Sequence, residues 1–209
     1  LRDAGAAALG VRTDVSCSKE VERLARRALA AYGAVDLLFN NAGVSAGTTL
    51  WESTPADWQW VMGVNLWGVI HGVRAFVPIM LAQNTACHII NTASINGLVS
   101  GVVNGIYHVT KHAVVTLSET LYHELQRRGA QIKVSVLCPA GVNTRIIDSA
   151  RNRPAHLQNE PAPAFPPEAA ARMQAARAAM EDEMPPRQVA EQVFAAIREE
   201  KFYILTHPE

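Results

Sequence analysis

The chain holds 209 residues, 49 % of them hydrophobic and 18 % charged, with 19 lysines and arginines against 19 aspartates and glutamates. That length suits one domain with a sizeable core. A net charge of zero supplies neither the basic footprint of a nucleic-acid binder nor attraction to an acidic membrane surface.

Strand and helix signals alternate along the chain. Ala6 to Leu9, between Gly5 and Gly10, reads as a helix end, and Val11 to Val15 as a short strand closing on Asp14 and Val15. Val21, Leu24, Ala25, Ala28 and Leu29 follow helical spacing up to a stop at Gly33. Val35 to Phe39 is strand-like and runs into Asn40-Asn41-Ala42-Gly43. Thr54-Pro55-Ala56-Asp57 is a helix start, with a capping threonine, proline in first position and a carboxylate three residues on. A long helix through Trp58, Val61, Asn65, Leu66, Val69 and Val73 follows. Cys87 to Thr92 is a buried strand with Ser94 just past its end. Tyr107 opens a helix running to about Arg128, and Ile132 to Leu137 is the next strand.

The stretch from Asn143 to Pro186 breaks this rhythm. It carries Pro154, Pro161, Pro163, Pro166 and Pro167, then an alanine-rich helix from Glu168 to about Glu183. A long insertion after a sheet strand is commonly a functional lid, and a substrate lid over about 143–186 is expected here. A helix over Arg187 to Glu200 and a strand over Phe202 to Thr206 close the chain. Continuous apolar strands separated by helices indicate an α/β domain: a single doubly wound, Rossmann-type parallel sheet covered on both faces.

No apolar run approaches the ~20 residues of a membrane span, and no signal peptide is visible. Cys17, Cys87 and Cys138 are odd in number, far apart and without metal-ligand spacing. They read as reduced thiols in a cytoplasmic protein, and no metal site is expected.

Tyr107 and Lys111 lie four residues apart, on one face of a helix. An ammonium there favours the phenolate. Bringing a tyrosine from a pKa near ~10 to neutrality takes roughly 3–4 kcal/mol, toward which a nearby cation contributes. The product is a phenol able to give or take a proton. By itself such a pair recurs by chance in helices.

The motifs together are more specific. Asp14-Val15, Asn40-Asn41-Ala42-Gly43, Asn65, Ser94, Tyr107-x-x-x-Lys111 and Pro139-Ala140-Gly141-Val142-Asn143-Thr144 resemble the short-chain dehydrogenase/reductase family in order and approximate spacing. The resemblance implies an oxidoreductase that moves hydride between NAD or NADP and a small-molecule alcohol or ketone. Tyr107 would be general acid or base. Lys111 would lower its pKa and hold the nicotinamide ribose, and Ser94 would stabilise charge on the substrate oxygen. Asn65 would hold a proton-relaying water. Asp14 and Val15 would contact adenine, Asn40 to Gly43 would shape the cofactor turn, and Pro139, Gly141, Val142 and Thr144 would pass along the nicotinamide and phosphates. The family usually has Pro-Gly where this chain has Pro139-Ala140-Gly141. Homodimers and homotetramers are common in the family, built on its long central helices, where Trp58, Trp60 and Trp67 are candidates.

The family's N-terminal strand, Gly-rich turn and helix, which cradle the pyrophosphate, have no counterpart in this sequence, so the chain is expected to be a piece of a longer protein. The acidic or basic residue that separates NAD from NADP would also lie in the missing segment, at the end of the family's second strand. The largely apolar walls around Ser94, Ile95 to Val99 and the turn after Pro139 suggest a hydrophobic secondary alcohol. Epimerisation or dehydration on the same scaffold, and a non-catalytic binding role, stay open. None of the histidines is assigned to catalysis, and His108 is expected to face the surface or the lid.

Overall fold

Among the described residues, four parallel strands form one sheet in sequential order: β1 (Leu37–Asn40), β2 (Cys87–Thr92), β3 (Ile132–Cys138) and β4 (Tyr203–Leu205). The computed structural model describes residues 5–102, 104–159 and 167–207. Every pairing is parallel, with Leu38 opposite Ile89, Ile89 opposite Val134 and Leu137 opposite Ile204.

Successive strand residues point to opposite faces, so the continuous apolar strands feed two cores. Ile89 and Val134 pack with Val21 and Ala25 of α1 (Ser18–Tyr32), Phe76 and Met80 of α3 (Gly68–Gln83), and Leu121 and Leu125 of α4 (Gly105–Arg127). Their neighbours Ile90 and Leu137 turn to the other face and meet Val189, Val193 and Ala196 of α6 (Pro186–Arg198). The sheet is thus wound on both sides, as its sequence pattern predicts.

The helix start at Thr54 is a capping box. The Asp57 amide donates to the Thr54 hydroxyl and the Thr54 amide to the Asp57 carboxylate, with Pro55 in first position. Helix α2 (Pro55–Met62) then passes through one π turn, Gly63–Trp67, into α3. By length and composition alone the helical run from Pro55 to Gln83 could cross a membrane, since an 18-residue window within it reaches a mean hydropathy of 1.4. No unbroken apolar run approaches 20 residues, as expected, because Asn65, His71 and Arg74 interrupt it. Packing of this run on α1, α4 and β1 accounts for part of its apolar surface.

Two other expectations change. Residues 11–15 pair with no strand among the described residues and lead through a turn into α1, because an extended segment becomes a strand only where a ladder partner lies beside it. The stretch from Gly5 to Gly10 is a turn followed by chain without regular structure, and Ala6 to Leu9 are not helical. In the expected lid, two 3₁₀ segments (Arg145–Asn152 and Ala155–Leu157) precede α5 (Pro167–Glu181). Its two ends are tied, since the Asn143 amide donates to the Met184 carbonyl at 3.0 Å. Pro161, Pro163 and Pro166 lie outside the described residues.

Candidate active site

The carboxyl ends of all four parallel strands share one edge of the sheet, where open α/β sheets bind ligands. Ser94 stands two residues past β2, where it caps a 3₁₀ turn over Ile95–Gly97 and receives the Asn96 amide at 3.2 Å. Its hydroxyl donates to the Pro139 carbonyl at 3.3 Å, and the Ile95 amide donates to the same carbonyl at 2.8 Å. The loops after β2 and β3 are therefore tied at the position of Ser94. Gly97 brings this turn against α4, where a Cβ would lie 2.7 Å from the Lys111 carbonyl oxygen.

Tyr107 and Lys111 share the face of α4 turned to the strand ends. The Lys111 ammonium lies 5.4 Å from the Tyr107 ring centroid and donates to the Thr92 carbonyl at 2.7 Å. With only 2 % of Lys111 exposed, burial pulls its pKa down to about 8, while the neighbouring Cys138 opposes that shift. The Cys138 thiol is pushed up to about 11 by its own burial. Burial also raises the Tyr107 phenol above the usual tyrosine value, opposed by the Ser94 hydroxyl. In the protein alone the pair does not bring Tyr107 toward neutrality. Desolvation of the phenol outweighs the Ser94 hydrogen bond.

Asn65 sits in the π turn and is 1 % exposed. Its amide oxygen accepts from the Val44 amide at 2.8 Å, and its nitrogen donates to the Val44 carbonyl at 2.9 Å and to Thr110 Oγ1 at 3.2 Å. The side chain thus clamps the loop that leaves the Asn40 turn. Asn40 reaches Asn91 Oδ1 at 2.8 Å, and Asn41 accepts from Thr92 Oγ1 at 3.0 Å. At Gly43 a Cβ would lie 3.7 Å from both Asn65 Oδ1 and Lys111 Nζ.

A cavity of about 840 Å³ gathers Asn41, Ala42, Gly43, Ser94, Tyr107 and Lys111, together with Pro139, Gly141, Val142 and Thr144. Ala42 and Gly43 also border a second cleft, of about 1440 Å³, that holds Asp14 and Val15. Asn40 faces a smaller hollow beside Val15, and Asn65 lies beneath the main cavity among its backbone partners. Asp14 serves a turn as well: its carboxylate accepts from the Ser16 amide at 2.9 Å and from the Ser16 hydroxyl at 2.7 Å. The sequence motifs therefore line two adjoining clefts.

Three features of the site had no visible signal in the sequence. Ser149, 2 % exposed, accepts the Ser45 amide at 3.2 Å, and the Ser45 hydroxyl reaches Asn104 at 2.9 Å, just ahead of Tyr107. Arg153 donates to the buried Asp57 at 2.6 Å and stacks 5.1 Å from the Trp60 ring. His108 does not face the lid. Its Nδ1 lies 3.1 Å from the Asn96 carbonyl and 3.0 Å from that of Val99, holding the loop after Ser94 onto α4. With two carbonyl partners, that nitrogen carries the proton.

Comparison with known proteins fits this geometry. The profile of the short chain dehydrogenase family matches residues 1–155. A "CLA biosynthesis dehydrogenase/reductase" of Lactiplantibacillus plantarum is 36 % identical over 208 residues, covering 99 % of this chain and 73 % of the relative. A "C alpha-dehydrogenase" of a Sphingobium species is 31 % identical over 216 residues, covering 100 % of this chain and 67 % of the relative. The crystal structure of a short chain dehydrogenase/reductase from Burkholderia phymatum in complex with NAD superposes with a TM-score of 0.93 at 55 % identity. It matches 99 % of this chain and 73 % of that one.

Proposed function

The chain belongs to the short-chain dehydrogenase/reductase family of NAD(P)-dependent oxidoreductases, and from that premise we propose that it interconverts a hydrophobic secondary alcohol and its ketone, with Tyr107 moving the proton. The observation that carries this reading is the convergence of Ser94, Tyr107 and Lys111 on one cavity at the carboxyl ends of the strands.

The residues present fit a nicotinamide dinucleotide. Bare backbone at Gly43 stands beside the Lys111 ammonium, and the two clefts meet at Ala42 and Gly43, so an elongated molecule has continuous room. When bound, the nicotinamide supplies or receives the hydride. Lys111 and the turn from Pro139 to Thr144 would hold it, with Asp14 and Val15 at its adenine end. Ser94 would donate a hydrogen bond to the substrate oxygen as negative charge develops there. Tyr107 would give its phenolic proton to that oxygen during reduction and take it back during oxidation. Asn65, by clamping Val44 beside Lys111, would keep the route from the ammonium to water in place.

The raised pKa of Tyr107 has a directional consequence. The neutral phenol, the form that gives a proton to a carbonyl oxygen, is the resting form of Tyr107 at neutral pH. Free cysteines at positions 17, 87 and 138 suit a reducing cytoplasm. The apolar groove between α3 and α4, lined by Val73, Leu117 and Leu121, suits self-association as a homodimer or homotetramer. Of Trp58, Trp60 and Trp67, Trp60 is core, whereas Trp67 is half exposed and offers surface for such a contact.

The test is Tyr107→Phe. It should keep the fold by circular dichroism and lose turnover by about 10²–10⁴-fold, and retained turnover sinks the assignment. Fluorescence titration with NADH and with NADPH names the cofactor.

A further inference from the structure

The main cavity is lined by three basic side chains, Lys111, Arg145 and Arg151, while Glu183 sets its carboxylate against the cavity wall at Gly141. Lys111 is used by the strand end at Thr92 and by Tyr107. The two arginines are not part of that machinery. They lie on the 3₁₀ segment Arg145–Asn152, beyond the turn after Pro139.

The segment is built to hold Arg151 in place. One of its terminal nitrogens donates to the Arg145 carbonyl at 2.7 Å and to the Asp148 carbonyl at 2.8 Å. The rest of its guanidinium fork has no protein partner among the described residues. Asp148, the nearest acid in the segment, is paired instead with Arg177 at 2.8 Å. Between them, Ser149 fastens the segment to Ser45, and Ser45 to Asn104, so the arginines stand on the Tyr107 side of the cavity. Ile146, Ile147 and Met180 supply apolar wall beside them. An apolar wall ending in unneutralised guanidinium is the complement of an amphipathic anion. A planar fork also matches a carboxylate in both charge and geometry.

The geometry points to a carboxylate on the substrate, remote from the reacting carbon and received by Arg151 with Arg145, so that the substrate class is a hydrophobic hydroxy or oxo acid. This inference rests on the alcohol/ketone reaction assigned above. The other source of anionic oxygen is the cofactor's own diphosphate, and the test separates the two.

Octanoate and its neutral isostere octanamide are titrated calorimetrically into the purified protein with saturating nicotinamide cofactor. Octanoate should bind at least tenfold more tightly. Arg151→Gln, alone and with Arg145→Gln, should level the two affinities while the melting temperature holds, since both side chains are exposed. Equal affinities in the unmodified protein overturn the inference, as does an octanoate preference that survives both substitutions. A weakened cofactor affinity with the octanoate preference intact assigns the arginines to the diphosphate and also overturns it. Turnover of 7-hydroxyoctanoate against 2-octanol is read separately. Preference for the acid supports the inference, whereas octanoate preference in a protein that oxidises neither leaves the anion site standing and removes the assigned reaction.

Discussion

Arg153 and Asp57 lie 96 residues apart in the chain and meet at 2.6 Å, with 9 % and 2 % of their side chains exposed. The carboxylate also accepts from Thr54 and Asn159, and the guanidinium also reaches Leu157 and stacks on Trp60. One buried pair thus joins the start of the central helical rod to the segment that walls the cavity.

Removing one partner of such a pair leaves a buried charge alone, which costs about 3–5 kcal/mol. Arg153→Met should lower stability by that order, measured by urea unfolding. Adding Asp57→Asn to it should recover part of the loss. Burial raises the Asp57 pKa, but the Thr54 amide, Arg153 and the further hydrogen bonds outweigh it, so the carboxyl sits below the usual carboxylate range. Its contribution is full above the ordinary carboxylate pKa and is lost as pH falls through the lowered one. The difference between wild type and double variant should shrink only in acid.

Lys111 tests the opposite sign. Its folded pKa, about 8 against 10.5, means that burying the charge opposes folding by on the order of 3 kcal/mol at neutral pH. Lys111→Met removes that penalty along with the bond to Thr92, so a net gain of about 1–2 kcal/mol in stability at pH 7 is expected, with turnover lost. Between pH 8 and 10.5 the native wild type releases its proton before the unfolded chain does. Wild type should therefore gain on the variant across that window. Parallel pH–stability curves would refute the assignment.

Ser94→Ala removes the hydroxyl proposed to face the developing oxyanion while leaving the Ile95–Pro139 backbone bond in place. Turnover should fall by about 10²–10³-fold with little change in stability. A variant within a few-fold of wild type would show that Ser94 only caps its turn.

Gly97→Ala places a methyl group 2.7 Å from the Lys111 carbonyl and 3.0 Å from Val115. The obstacle is backbone, so the turn must shift as a unit. A stability loss of about 1–3 kcal/mol is expected, together with a drop in turnover larger than in cofactor affinity. That split is read from steady-state kinetics beside a fluorescence titration.

Local chemistry made much of this protein legible. The capping box at Thr54, the apolar strands and the boundaries of α4 depend on neighbours within a few residues, and they stand where spacing predicts them. Residues 11–15 were read as a strand from their composition alone, yet strand formation also needs a partner that composition does not reveal. The pairing of Asp57 with Arg153 carries no sequence signal, because nothing in either local environment depends on the other until the chain has closed a 96-residue loop.

The sequence by itself determined the family, the winding of the sheet and the candidates proposed to move the proton and bear charge, since periodicity and short motifs are encoded at the range of a single helix turn or strand. Only the tertiary structure decided how those residues titrate and what surrounds them. Burial of Tyr107 and Lys111 is a property of the packed strand ends, and it reverses the direction a neighbouring ammonium alone would give to the phenol. The charge of the cavity wall is likewise a matter of packing. Asp148 faces Arg177, and Arg151 is left with part of its fork unpaired, only because the folded segment turns them that way.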